Sequence, residues 1–107
     1  MLNQNITLPM DAIIAFCEKY PIRKLSLFGS VLRDDFRPDS DVDVLVEFEP
    51  GARISSFDLA TMEIELGALI GRKIDLREPE ELSRYFRQKV IDTALVLYER
   101  ERSDTPT

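Results

Sequence analysis

The sequence predicts a small α/β (α+β) domain in which a mixed sheet of three to four strands is covered by helices. Apolar residues recur along the chain with two alternating spacings, one typical of amphipathic helices and one typical of half-buried strands. The 107 residues are enough for one domain, and the 44% of apolar residues are enough for a packed core. Strands that alternate with helices in a chain of this length favour one sheet with helices packed on it.

The first third of the chain is predicted to contain a helix, a strand and a short helical turn. Residues 8–20 place apolar side chains on one helical face, and Pro21 ends that helix because proline disfavours a helical conformation at the residue before it. Residues 23–28 alternate in polarity and predict the first strand. Gly29 interrupts this strand, and residues 31–35 favour one helical turn.

The second strand is predicted at residues 42–48, after a turn-forming segment at residues 37–40. A period of two places three valines on one face and three acidic residues with a leucine on the other. The two sets are Val42, Val44 and Val46, and Asp41, Asp43, Leu45 and Glu47. One face of this strand is therefore expected to be in the core and the other to carry charge.

The rest of the chain is predicted to add two helices and a third strand. Residues 56–70 favour a long helix, and residues 73–77 favour a short strand. Residues 79–93 favour a helix, because they begin with proline and acidic residues. Residues 94–98 either continue that helix or form an edge strand, and periodicity does not separate these alternatives.

Charge and composition exclude several classes of function. The 14 basic and 20 acidic residues give a net charge of −6, so no direct nucleic-acid binding is expected, although metal ions can bridge an acidic site to a nucleotide. A single cysteine and the absence of histidine exclude Cys/His zinc sites and histidine-based triads. Acid–base or metal chemistry must therefore depend on carboxylates, hydroxyls, lysine or arginine.

The terminal segments and the hydropathy favour a cytoplasmic protein. Residues 1–7 lack the cationic start and apolar stretch of a signal peptide. No apolar run approaches the ~18 residues of a membrane span. We expect one domain over residues 1–100, followed by a polar, disordered tail at residues 101–107.

Two short features form the nucleus of a candidate site. Gly29 and Ser30 follow a strand and precede a helical turn, where a close backbone and free N–H groups suit a phosphate; the alternative is an ordinary turn. Asp41 and Asp43 lie two residues apart, about 7 Å on a strand, and can hold a pair of divalent cations. The alternative is that Asp41 belongs to the turn and Asp43 faces solvent.

A third acid, Asp75, lies in the short third strand between apolar neighbours. It is either the ion-pair partner of Lys73 or Arg77 on a solvated face, or a third metal ligand beside Asp41 and Asp43. A site with only oxygen ligands favours magnesium or manganese. The glycine turn followed by Asp-x-Asp in a strand is much rarer by chance than either part.

Segments 27–33 (LFGSVLR) and 39–46 (DSDVDVLV) resemble the signature of the DNA polymerase β-type nucleotidyltransferase superfamily. The resemblance is strongest to the minimal nucleotidyltransferase (MNT) branch, the short antitoxins that partner HEPN-domain toxins. It extends from about residue 8 to about residue 100 and is most specific between residues 27 and 46. It implies a polymerase β-like nucleotidyltransferase fold.

The resemblance also implies a role for each matching residue. Gly29 and Ser30 would hold the β- and γ-phosphates of a nucleotide. Asp41 and Asp43 would bind two Mg²⁺ ions, with Mn²⁺ as the alternative metal. Asp75 stands where the family has its third carboxylate, and it would complete the catalytic and metal-binding set and help to activate the attacking hydroxyl.

Arg33 matches a frequent arginine of the family and would contact phosphate. The alternative is a surface ion pair with Asp34 or Asp35. Many relatives have glycine after that arginine, and Asp34 at this position leaves the local loop geometry open.

The implied function is that of an antitoxin enzyme that transfers AMP from ATP to a hydroxyl, expected to be a tyrosine, of a HEPN toxin. The small size favours a protein acceptor, because 107 residues leave little chain to enclose a second small substrate. Two alternatives remain: an antitoxin that acts by contact alone, and a nucleotidyltransferase for a small molecule such as an aminoglycoside. The nucleobase, the number of nucleotides transferred and the oligomeric state stay open.

Overall fold

The computed structural model describes residues 8–32 and 40–100 of the chain. The predicted tail at residues 101–107 and the second half of the predicted turn at residues 31–35 lie outside these ranges. In the described part, no helix is long and apolar enough to cross a membrane. The elements are α1 (Met10–Lys19), β1 (Ile22–Phe28), a first 3₁₀ turn (Gly29–Leu32), β2 (Val42–Phe48), α2 (Ser56–Ile70), β3 (Ile74–Arg77), a second 3₁₀ turn (Pro79–Glu81), α3 (Arg84–Thr93) and β4 (Leu95–Glu99).

Local sequence determines where the long helix α2 begins and ends. The Ser55 side chain accepts a hydrogen bond from the Asp58 amide (3.1 Å), and the Asp58 carboxylate accepts one from the Ser55 amide (3.0 Å). This capping box satisfies two amides that the first helical turn leaves free. Gly71 ends the helix in the left-handed conformation, with φ at 76°. The helix predicted at residues 56–70 is therefore confirmed with its bounds.

The four strands form one mixed sheet in the order β3-β2-β1-β4. β1 is antiparallel to both β2 and β4, whereas β2 and β3 are parallel. This confirms the predicted mixed sheet of three to four strands. Residues 94–98, for which helix and strand were both open, contribute β4, which pairs with the edge of β1 that β2 leaves free.

The two faces of the sheet differ in what covers them. On one face, Leu27 of β1 packs with Met62 of α2 in a large core that α1 also joins. On the other face, Phe28 and Leu45 meet Val90 of α3 in a smaller cluster. We call the first the core face and the second the site face. The site face carries Phe28, Asp43, Leu45, Asp75 and Arg77.

The single helix predicted at residues 79–93 is wrong, because the chain breaks it into a 3₁₀ turn and α3. Leu82 is extended, with ψ at 146°, and packs against the smaller cluster. Ser83 caps α3 by accepting a hydrogen bond from the amide three residues later (3.3 Å). Arg87 donates to the carbonyls of Pro79 (2.7 Å) and Leu82 (3.1 Å) and so stabilises the break.

Candidate active site

Strand pairing brings two of the predicted acidic residues together. Asp43 of β2 and Asp75 of β3 are direct partners in the parallel register. Both line a cavity of about 340 Å³ that opens on the site face, together with Gly29 and Arg77. Two acids that are 32 positions apart in the chain thus lie beside each other, as the metal-ligand hypothesis for Asp75 requires.

The glycine turn lies against the Asp43 carboxylate. Phe28 pairs with Asp43 across β1 and β2, so that the next residue, Gly29, lies at the carboxylate itself. A Cβ atom at Gly29 would collide with Asp43 Oδ2 and would lie 3.2 Å from Asp43 Cγ. Gly29 also has φ at 76°, a conformation that side-chain-bearing residues rarely adopt. Position 29 therefore requires glycine for two reasons: the positive φ of its backbone and the lack of space for a Cβ atom beside Asp43.

The other predicted residues lie around this pair or outside the described part of the chain. Ser30 follows Gly29 in the first 3₁₀ turn. Asp41 directly precedes β2 and is exposed, and it does not line the cavity of Asp43 and Asp75. Arg33 lies outside the described residues, so its contact with phosphate stays a prediction.

Asp75 forms an ion pair with Arg77 on the same face of β3. Arg77 Nε donates to Asp75 Oδ1 (3.1 Å), and Arg77 Nη2 donates to Asp75 Oδ2 (3.3 Å). The hydrogen bond and the charge of Asp75 raise the pKa of Arg77, and the charge of Asp43 adds to this. The alternative reading of Asp75 as an ion-pair partner is thus observed. The same pair places the Asp75 carboxylate at the cavity.

Three contacts that sequence reasoning missed fix the position of β3 and of the segment that leads into β2. Glu63 of α2 accepts a hydrogen bond from the Leu76 amide (2.9 Å) at the outer edge of β3. Arg72 Nη2 donates to the Ser40 carbonyl (2.7 Å), and the Val42 amide donates to the carbonyl of the residue before β3 (2.8 Å). The last two contacts hold the segment that contains Asp41 and leads into β2 against the start of β3. Only the strand order reveals them.

The donor set at this site fits a hard divalent cation. Asp43 and Asp75 offer carboxylate oxygens at one register position, and magnesium and manganese favour oxygen ligands. Among residues 8–32 and 40–100, no group of three or more His, Cys, Asp or Glu side chains is arranged around one point as a metal site. The geometry therefore supports Asp43 and Asp75 as a pair, and the place of Asp41 in the set stays a prediction.

A second cavity adjoins the first and shares its glycine turn. It has a volume of about 410 Å³ and is lined mostly by apolar side chains of β1, the first 3₁₀ turn and α3. Phe86 lies at both cavities and is 50% exposed. Sequence reasoning assigned no role to Phe86. The available signal was a large aromatic residue in the first turn of a helix, beside another aromatic residue, Tyr85.

The sequence matches a family model and curated proteins over most of its length. The family described as "Nucleotidyltransferase domain" matches residues 10–98. A protein of Methanocaldococcus jannaschii with the provisional name of protein adenylyltransferase is 32% identical over 80 residues, which are 74% of this chain and 79% of that protein. The protein adenylyltransferase MntA of Thermococcus cleftensis is 39% identical over 59 residues, which are 55% of this chain and 58% of that protein.

The fold also matches solved structures. A structure provisionally described as a minimal nucleotidyltransferase aligns with a TM-score of 0.67 and 31% identity, over 80% of this chain and 86% of that one. The complex of a tri-AMPylated Shewanella oneidensis HEPN toxin with its MNT antitoxin contains a chain that aligns with a TM-score of 0.62 and 18% identity, over 85% of this chain and 70% of that one. The second similarity concerns the fold alone.

Proposed function

Because this chain belongs to the nucleotidyltransferase domain family, we propose that it transfers AMP from ATP to a hydroxyl group of a HEPN-type toxin and so neutralises that toxin. The observation that carries the proposal is the contact of Gly29 with Asp43, which is paired in turn with Asp75. This arrangement joins a close backbone approach for phosphates to two carboxylates for divalent cations. The relatives named as protein adenylyltransferases support a protein acceptor.

The reaction is an in-line displacement at the α-phosphorus of ATP. The acceptor oxygen, expected to be that of a tyrosine, would form a bond to the α-phosphorus as the bond from the α-phosphorus to the bridging oxygen of pyrophosphate breaks. Its proton would pass to a carboxylate, for which Asp75 is the candidate, and pyrophosphate would leave. Asp41, Asp43 and Asp75 would hold two Mg²⁺ ions, which when bound would lower the pKa of the attacking hydroxyl and neutralise the charge that develops on pyrophosphate. Gly29 keeps the space beside Asp43 open, so that phosphate oxygens can approach the carboxylates. Ser30 would donate a hydroxyl hydrogen bond to the same phosphates.

Arg77 would change its partner during this cycle. In the structure its guanidinium compensates the charge of Asp75, with side-chain exposures of 46% and 39%. An ion pair this exposed contributes little free energy and is easily exchanged. A cation on Asp75 would therefore release Arg77 toward the phosphates, which would lie in the cavity that Arg77 and Gly29 both line.

The site is open enough for a macromolecular acceptor. The carboxylate cavity of about 340 Å³ lies at the surface of the site face, and residues 8–32 and 40–100 form no enclosed compartment there for a second small substrate. A toxin that presents its own hydroxyl on a folded surface would close the cavity from outside. Adenylylation would then add bulk and negative charge to the toxin, as phosphorylation does.

Mass spectrometry of the toxin tests the proposal. The proposal predicts a HEPN protein encoded beside this chain, and this protein is expressed with wild type, with Asp43→Asn and with Asp11→Asn. Asp11 is an exposed acid on α1 and serves as the matched control. Wild type and Asp11→Asn should add about 329 Da per transfer, the mass of an adenylyl group, to the toxin. Asp43→Asn should add nothing and should leave the toxin active. An unmodified toxin that all three variants neutralise equally would show that contact alone is sufficient.

A further inference from the structure

Phe86 of α3 stands where the two cavities of the site face meet. Both cavities are also lined by Phe28 and Gly29 and therefore join at the glycine turn. The first cavity contains the charged residues Asp43, Asp75 and Arg77. The second contains none of them. The cleft is thus divided into a half with two acids and an arginine and a mostly apolar half with Lys89 and Thr93 at its border.

The second cavity has the character of a site for a flat apolar group with a polar rim. Leu32 and Val90 form apolar walls, while Lys89 and Thr93 of α3 supply polar atoms at its border. The Thr93 hydroxyl donates to the Lys89 carbonyl (2.8 Å), so its oxygen is left to accept a hydrogen bond. Lys89 is exposed and provides an ammonium donor. The rim therefore offers both a donor and an acceptor around an apolar floor.

We propose that this second cavity binds the nucleobase of the donor nucleotide and that Phe86 stacks on the base. This inference rests on the proposed function, because it takes the phosphates to lie beside Gly29 and Asp43. A nucleoside triphosphate has the same division as the cleft, with charged phosphates at one end and a flat ring at the other. Stacking on aromatic side chains is the usual means by which proteins hold a base.

Phe86 is better suited to this role than the other aromatic residues nearby. Phe28 is only 7% exposed and is packed into the smaller cluster with Leu45 and Val90, so its ring is used by the fold. Phe86 is 50% exposed and belongs to no buried cluster among the described residues. Tyr85 is 90% exposed and lines neither cavity, which makes it a matched control one residue away.

Calorimetric binding of two probes tests the proposal. Mg-ATP contains a base, and magnesium tripolyphosphate has the same chain of phosphates without one. Phe86→Ala should weaken Mg-ATP binding about 5- to 150-fold, the range expected for the loss of one base–aromatic stack. The same variant should bind tripolyphosphate as wild type does. Tyr85→Ala should bind both probes like wild type, and Phe86→Trp should restore Mg-ATP binding.

Three results would overturn the inference. The first is unchanged binding of Mg-ATP to Phe86→Ala. The second is an equal loss for both probes, which would mean that Phe86 only supports the phosphate site or the fold; thermal unfolding of the variant identifies the latter. The third is normal Mg-ATP binding with a raised KM for the toxin, which would assign the cavity to the acceptor. A different result would separate this inference from the proposed function. A wild-type chain that binds both probes without modifying the toxin would contradict the proposed function, but it would not contradict base binding in the second cavity.

Discussion

Leu27 and Phe28 are neighbours in β1, yet they lie on opposite faces of the sheet and in different surroundings. Leu27 is fully buried on the core face, among side chains of α1 and α2. Phe28 lies on the site face, where a small cluster covers part of the sheet and two cavities open beside it. The same strands therefore provide the main core on one face and the candidate site on the other. We expect substitutions on the core face to act on stability and those on the site face to act on binding.

The core face should show the largest effect on stability. Leu27→Ala removes a fully buried side chain from the core and should lower the free energy of unfolding by about 2–5 kcal/mol. Chemical denaturation monitored by circular dichroism measures this loss. Binding of Mg-ATP by the fraction that remains folded should be close to wild type. A variant that loses binding without losing stability would contradict the division between the faces.

The site face should respond to its ligand. Mg-ATP at about 100 times its dissociation constant should stabilise the fold by about 2.7 kcal/mol, because the proposed site exists only in the folded chain. Asp43→Asn should lose most of this gain, while its ligand-free melting temperature stays near that of wild type. Thermal scans with and without Mg-ATP, and with Mn-ATP, measure both quantities. The absence of any shift with either metal in wild type would argue against a triphosphate site.

A substitution in the glycine turn should affect both stability and Mg-ATP binding, and a second glycine of the chain, Gly51, serves as the control. Gly29→Ala and Gly51→Ala both place a side chain at a positive φ, 76° and 86°, which costs about 1–3 kcal/mol. Only the alanine at position 29 also meets the Asp43 carboxylate, since nothing lies within 4 Å at position 51. Both variants should be destabilised, but only Gly29→Ala should lose Mg-ATP binding. Equal Mg-ATP binding by the two variants would show that Gly29 is not part of the nucleotide site.

The last effect is confined to alkaline pH and concerns Cys17, which lies on α1 within the core. Burial raises the pKa of its thiol from 9.0 to about 12, although the charge of Arg100 acts in the opposite direction. Because the folded state prefers the neutral thiol, this contribution to stability is complete below pH 9 and is lost as the pH rises toward 12. Denaturation of wild type and Cys17→Ala between these pH values should show a shallower decline for the variant. Parallel declines would assign the pH dependence to other groups.

Much of the fold follows from local patterns that the structure confirms. The strand at residues 42–48 and the helix at residues 56–70 have the predicted bounds, because their signals are local. The strand has valine at every second position from 42 to 46, and the helix lies between a capping box at Ser55 and a glycine stop at Gly71. The break at Ser83 was missed, because the interactions that stabilise it come from Arg87 and from the packing of Leu82 on the sheet. Residues 94–98 could not be assigned, because only the free edge of β1 decides that they form a strand.

The sequence alone was enough to predict which residues form the candidate site. Gly29 followed by Asp-x-Asp in a strand predicts a backbone turn for phosphate and carboxylates for divalent cations. The tertiary structure decided which of these groups meet. It placed Asp75 beside Asp43, because β3 pairs in parallel with β2, and it left Asp41 exposed at the start of the strand. It alone brought Phe86 to the cleft, because the path of α3 over the site face depends on long-range packing that no local pattern encodes.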